Sequence, residues 1–240
     1  MDEARPTPYR LSPLLRGALA TAAFSVLHSA LATHGAKEVA AKACGPRGRD
    51  GTYRLFYNTQ AVLSFGALVI YLSRLPKETV YEAKGPARVG FRLGQAASLA
   101  FFGWALAELG VKRMSGFRNF AAWARGEEIP VGPAAQGPEL NPDGALSEGR
   151  AYRYTRHPLN IAMTALFWLT PTLTTGRLGF NAVSTLYFYL GSFHEEHRLR
   201  ALYGKKYEAY RTSGVPFFWP GRARRTALGV RPGATPIKED

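Results

Sequence analysis

The sequence has a single cysteine, Cys44, among 240 residues, so an intrachain disulfide is excluded. Cys44 stands beside Lys42 with no base partner in view, which reads as an incidental thiol. Acid is also scarce: 17 Asp and Glu oppose 31 Lys and Arg, for a net charge of +14. Such a charge admits nucleic acid as a partner, but no recognition motif accompanies it, and nucleic-acid binding is set aside. Charge of either sign is missing altogether from five stretches, Gly17–Ala36, Leu55–Ser73, Leu93–Ala107, His157–Gly176 and Leu178–His194. They run 20, 19, 15, 20 and 17 residues. A helix needs about 20 mostly apolar residues to cross a bilayer. The third stretch continues past Glu108 to Val111, where a carboxylate reaches the interface. The mean hydropathy of −0.15 conceals this arrangement, because the charges are clustered between the runs.

These runs lack the polar face that a bundle helix shows to water. They end in interfacial residues: Tyr53, Arg54 and Tyr57; Tyr71 and Arg74; Phe91 and Arg92. The expected fold is all-α, a polytopic membrane protein of about five transmembrane helices with a cytoplasmic C-terminal helical segment. The alternative is a soluble bundle of unusually apolar helices. With five crossings and the C-terminus inside, the inner segments 35–54, 112–156 and 194–240 hold 22 of the 31 Lys and Arg. That is the positive-inside pattern, and it places the protein in the cytoplasmic (inner) membrane. The start, MDEARPTPYR, is acidic and proline-containing and does not read as a cleavable signal, so the first run is expected to remain as an anchor.

Four regions follow. Residues 1–111 form a three-span N-terminal region, with 35–54 as a loop. Residues 112–150 form a cytoplasmic loop, in which GFRNFAAWARG (116–126) has the spacing of an interfacial helix and the Pro- and Gly-rich 127–149 is a linker or lid. Residues 151–220 form a two-span hairpin plus a polar C-terminal segment. There the fifth run passes directly into HEEHRLRALYGKKYEAYR, with Leu199, Leu202 and Tyr203 as an apolar stripe and Gly204 as a break. VPFFWP is expected in the headgroup region, and 221–240 is a basic, disordered tail. Polar residues at membrane depth, His28 and Ser29 in the first run and Asn58 and Gln60 in the second, have two readings. They are functional groups, or hydrogen-bonding glue between helices.

Two constellations carry chemistry. Arg153, Tyr154, Arg156 and His157 stand at the entrance of the fourth run, and His194, Glu195, Glu196 and His197 at the exit of the fifth. A hairpin makes these ends neighbours. Arg and His at a span entrance also serve as snorkelling anchors. The two histidines are spaced i, i+3, whereas a zincin helix uses i, i+4, so no metal site is assigned.

RHPLN followed by EEHRLRALYGKKYEAYRTSGVPFFWP resembles the C-terminal signature of the isoprenylcysteine carboxyl methyltransferase-like integral membrane methyltransferases. The resemblance covers about residues 150–220. FWLTPTLTTG, with HSALA in the first run and YRLFYN in the second, is most similar to the branch containing methanethiol S-methyltransferases and the NnrU proteins. It implies S-adenosylmethionine as cofactor and a small or lipid-soluble acceptor, such as a thiol, entering from membrane lipid. It places Tyr154, Arg156, His157, Pro158, Glu195, Glu196 and Tyr207 at the cofactor, with Arg156 and His157 also catalytic. Leu199, Gly204, Tyr210 and Pro216 fall on later elements. Asn160 and Ala162 depart from the tyrosine and glycine of the entry motif. Arg156 suits a carboxylate, and Glu195 a ribose or an ammonium. Tyr154 or Trp219 suits adenine. Methyl transfer at an activated carbon requires alignment and exclusion of water, and a thiol requires deprotonation by a base or solvent. Two alternatives remain at this point: an NADPH-dependent membrane reductase of related architecture, and a non-catalytic NnrU-like accessory protein.

Overall fold

The computed structural model describes residues 11–131, 137–138, 146 and 150–221. The expected tail and most of the 127–149 segment lie outside the described residues. Helix α1 (Pro13–Ala32) starts where Ser12 accepts a hydrogen bond from the Leu15 amide and Pro13 occupies the first turn. Thr33 is a one-residue joint. Its hydroxyl accepts from the Ala36 amide and opens α2 (His34–Ser73).

Here the structure corrects the sequence reading: 35–54 is helical, not a loop. The bend that the sequence takes for a loop is confined to Gly45, at φ 75°, with Pro46 resuming the helix at its first turn. After strand β1 (Thr79–Glu82), helix α3 (Gly85–Leu109) runs back and ends at Gly110. Short helices α4 (Val111–Ser115) and α5 (Phe117–Ala124) follow, the latter within the expected interfacial helix. Gly116 joins them at φ 84°, pressed so closely on the Arg54–Leu55 backbone that no side chain fits.

Helix α6 (Pro158–Trp168) is the second correction. Only 11 residues of the 20-residue fourth run are helical, roughly 16 Å of rise against the 30 Å of a bilayer core. Pro171 has no N–H to donate and disfavours helical backbone at Thr170, and the chain instead extends into β2 (Thr172–Thr174). This strand pairs antiparallel with β1, and Tyr81 donates to the Thr170 carbonyl. Helix α7 (Thr175–Tyr203) passes without interruption from the fifth apolar run into the polar HEEHRLRALY segment. Gly204 breaks it, and α8 (Lys205–Thr212) follows.

Two of these helices, α1 and α2, are long and apolar enough to cross a membrane. The orientation of side chains on α1 is inverted relative to a water-soluble helix. Its buried face is Gly17, Thr21 and Ser25, the two hydroxyls donating to carbonyls one turn back. Thr21 is 1% exposed, whereas Val26, five residues on, is 68% exposed. Small residues inside and large apolar ones outside let backbones meet closely where the surroundings are hydrocarbon. Helix α7 lies parallel to α1: Gly17 faces Gly176, Gly179 faces Leu14 and Ala18, and Ser29 is bonded to Tyr187 toward the other end. Phe65 of α2, Phe167 of α6 and Phe180 of α7 stack between the helices.

Asn58 donates to the Met114 and Ser115 carbonyls, so it closes the end of α4, the glue reading. Gln60 bonds to Ser64 on its own helix. Gly51 leaves room for the Trp123 side chain, and Asn119 ties α5 to the Asp50 carbonyl. At the end of the bundle away from the β1–β2 pair, Leu109, Tyr152, Leu199, Tyr207, Tyr210 and Val215 form a buried cluster.

Candidate functional site

The segment before α6 is fastened to the last described residues by backbone hydrogen bonds. Arg156 N–H donates to the Pro216 carbonyl and Gly221 N–H to that of Tyr154. Thr155, fully buried, donates to the Phe218 carbonyl at 2.8 Å and accepts from the His157 amide at 3.2 Å. This latch presents Arg156 and His157 in one direction. Phe218 is buried and Phe217 packs 4.5 Å from the Phe193 ring, so VPFFWP sits on α7 rather than lying free in a headgroup layer. Trp219 and Pro220 are exposed.

Because α7 continues past its apolar run, Glu195 and Glu196 arrive opposite that pair. Arg156 Nε lies 2.8 Å from Glu196 Oε1, with the N–H not aimed at the oxygen, so the contact is an ion pair rather than an aligned hydrogen bond. His157 Nδ1 is 3.5 Å from Glu195 Oε2, and Nε2 is 3.6 Å from Glu196 Oε1. Both are too long for good hydrogen bonds. Arg200 approaches Glu196 Oε2 at 3.9 Å from one turn further along α7. The other side of Arg156 is spoken for: Nη1 donates to the Arg211 carbonyl near the end of α8, and its guanidinium lies 5.5 Å from the Phe217 centroid. The His157 ring meets Phe217 edge-on at 5.0 Å.

Burial of the His157 imidazole works against its charge, but Glu195 and Glu196 outweigh it and hold the pKa above the ordinary value. For Glu196 burial likewise favours the neutral form, and His157, Arg156 and Arg200 overcome it, keeping the carboxyl below its usual range. Burial and the neighbouring carboxylate push the Tyr207 phenol up.

The structure thus brings together Arg156, His157, Glu195, Glu196 and Tyr207. Pro158 is buried at the first turn of α6. Tyr154 is not in the cluster: its ring packs 6.3 Å from Trp104 of α3 and beneath Arg153. His194 and His197 are exposed on α7. Among the described residues, no group of three or more His, Cys, Asp or Glu is placed to hold a metal ion. Sequence reasoning missed Thr155, Phe217 and the Arg211 carbonyl. It also missed the role of Glu108, which accepts from the Ala151 amide at 3.0 Å instead of reaching toward an interface. An acid placed late in an apolar run was the available signal.

Buried polar atoms in native proteins are nearly always satisfied. Arg156 Nε, both His157 ring nitrogens, Glu196 Oε1 and Tyr207 Oη are buried without an aligned partner. A ligand carrying an ammonium, a carboxylate and hydroxyls supplies the missing partners, so the donor set fits an amino-acid-bearing nucleoside such as S-adenosylmethionine.

No family model and no solved structure matches the chain. Several known proteins do. The chain is 42% identical over 69 residues to methanethiol S-methyltransferase of Crocosphaera subtropica, covering 29% of this chain and 27% of the relative. It is 31% identical over 125 residues to that of Pseudomonas deceptionensis, covering 51% and 45%. The protein of the same name from Mycobacterium tuberculosis is 27% identical over 209 residues, 83% of this chain and 75% of the relative. The chain matches less than half the length of the first two. These relatives support the branch to which the sequence motifs pointed.

Proposed function

We propose that this relative of the methanethiol S-methyltransferases is itself an S-adenosylmethionine-dependent integral membrane methyltransferase acting on a small thiol. The observation that carries the reading is the buried, incompletely satisfied cluster of Arg156, His157, Glu196 and Tyr207, beside Glu195, at the junction of three chain segments. Arg156 takes the carboxylate of the cofactor, Glu195 and Glu196 its ammonium and ribose hydroxyls, and Tyr207 closes the polar floor. His157, whose pKa the two glutamates raise against the effect of burial, adds a second donor. Pro158, buried at the first turn of α6, fixes the backbone that presents His157.

When bound, the cofactor supplies an electrophilic methyl group. The chain's task is then to align, to exclude water and to remove the thiol proton. The names of the relatives favour methyl transfer over the reductase and accessory readings.

Five crossings, by α1, the second half of α2, α3, α6 with its extended exit, and α7, are consistent with the helix order and with the β1–β2 pair joining the loops at one end. The inverted face of α1 supports a hydrocarbon surrounding. The positive-inside count supports the reading in which the cluster faces the cytoplasm. Calorimetric titration of the detergent-purified protein with S-adenosylmethionine tests the site. Binding by the wild type that Arg156→Ala and Glu195→Ala both weaken is expected. A folded wild type that binds none overturns the assignment.

A further inference from the structure

A second cluster of titratable groups lies on different helices from the first. His28 of α1 bonds through Nε2 to the Tyr57 hydroxyl of α2 at 2.7 Å. Tyr187 of α7 meets the imidazole edge-on at 6.5 Å, and its hydroxyl bonds to Ser29 at 3.1 Å. Phe24 stacks on the other side of the ring at 5.7 Å. The second ring nitrogen, Nδ1, is buried with no partner. Interhelical glue accounts for the Nε2 bond but not for an unbonded nitrogen at this depth, where an orphaned polar atom is costly.

The titratable groups facing the ring are Tyr57 from α2 and Tyr187 from α7; among the described residues no carboxylate or cation contacts it. Phe24 separates the imidazole from a groove of about 320 Å³ between α1 and α2, which runs from Leu27 to Ala20 along α1 and from Ser64 to Tyr71 along α2. This lining is apolar and admits an uncharged small molecule arriving from the hydrocarbon side.

We infer that His28 is the base of the acceptor site, and that a small neutral thiol held in the groove reaches its Nδ1 when the Phe24 ring, which separates the two, swings aside. The inference rests on the reading of the protein as a thiol methyltransferase. A thiol is a poor nucleophile until ionised, and in the tautomer whose Nε2–H donates to the Tyr57 hydroxyl the neutral imidazole carries its lone pair on Nδ1. The S–H bond breaks and its proton passes to Nδ1. The sulfur electron pair forms the new S–CH₃ bond as the methyl leaves the sulfonium donor, whose bonding pair returns to the donor sulfur. The imidazolium then gives its proton to solvent as product leaves. Eight residues of α7, about 12 Å of helical rise, separate Tyr187 from Glu195, so donor and acceptor enter at different depths of one helix.

The test uses ethanethiol as acceptor with detergent-purified wild type, His28→Asn and Tyr57→Phe. His28→Asn is expected to lower kcat/KM for ethanethiol near neutral pH by about 10²–10⁴-fold, with the loss shrinking as pH rises toward the ionisation of the thiol. Its affinity for S-adenosylmethionine stays within about twofold of wild type. Tyr57→Phe gives a smaller loss with a shifted pH profile. Independently of activity, ¹⁵N-histidine spectra of the wild type without donor should show the His28 Nδ1 resonance moving on addition of ethanethiol. An unchanged pH profile in a His28→Asn protein that still binds the donor overturns the inference, as does a silent resonance. If wild type binds no S-adenosylmethionine, the functional reading fails instead, and the spectral titration alone decides whether His28 meets a thiol. If His28→Asn does not fold, Tyr57→Phe and that titration decide.

Discussion

Replacing Glu196 by glutamine keeps the size of the side chain and removes its charge. The carboxylate is 7% exposed, against 11% for Arg156, and the pair stands 2.8 Å apart. Removing one member of a buried ion pair strands the other, at about 3–5 kcal/mol. Arg156 retains its bond to the Arg211 carbonyl and its place against Phe217, so the lower end applies. At about 2–4 °C per kcal/mol for a chain of this size, the melting temperature should fall by roughly 6–12 °C. His157 loses one of the two carboxylates that sustain its charge, so its pKa should fall at the same time. Thermal unfolding in detergent reads the first effect and histidine spectra the second. Glu208→Gln is the control: its pairing with Arg211 is exposed and should matter little. A Glu196→Gln protein that melts no lower than Glu208→Gln would refute the claim that this ion pair joins α7 to the α6 entrance.

Other perturbations follow the same logic. Gly179→Val drives a side chain into the Leu14 backbone and must part α1 from α7, costing about 1–3 kcal/mol or more; a lowered melting temperature or lost folded yield checks it. The pH dependence of stability has two arms. His157 binds its proton more tightly folded than unfolded, so its contribution is complete below the ordinary 6.5 and is lost as pH rises through the raised value. Glu196 behaves oppositely: its contribution is present above the ordinary 4.5 and is lost as pH falls through the lowered value. Stability should therefore be greatest between these ordinary values, and His157→Gln should flatten the alkaline arm. Cys44, exposed on the first half of α2, should react with a membrane-impermeant maleimide in inside-out vesicles and not in intact cells; the reverse pattern would invert the proposed topology.

Much of the helix layout was legible because absence of charge is a strong signal over 15 to 20 residues. It failed where charge and helix coexist. The segment 35–54 carries five basic residues, and Gly45–Pro46 looks like a loop, yet one positive-φ glycine absorbs the whole bend. It failed again in the fourth run, where the absence of charge extends past the last helical residue, Trp168, into an extended β2 exit. The meeting of Arg156 and His157 with Glu195 and Glu196 could be anticipated from a hairpin alone. The Thr155 latch could not, because its partners are backbone carbonyls of Phe217 and Phe218 more than 60 residues away, and backbone acceptors leave no mark in sequence. Tyr154 read as a cofactor-facing aromatic for its position beside the motif. The geometry before α6 turns it toward Trp104 instead.

The most direct measurement of the central claim follows a labelled methyl group. Purified protein in proteoliposomes is given S-adenosylmethionine carrying a ¹³C methyl, with ethanethiol as acceptor. The account predicts labelled ethyl methyl sulfide in the wild type and its loss in Arg156→Ala. Wild-type protein that binds the cofactor but transfers no label to any small thiol would contradict it.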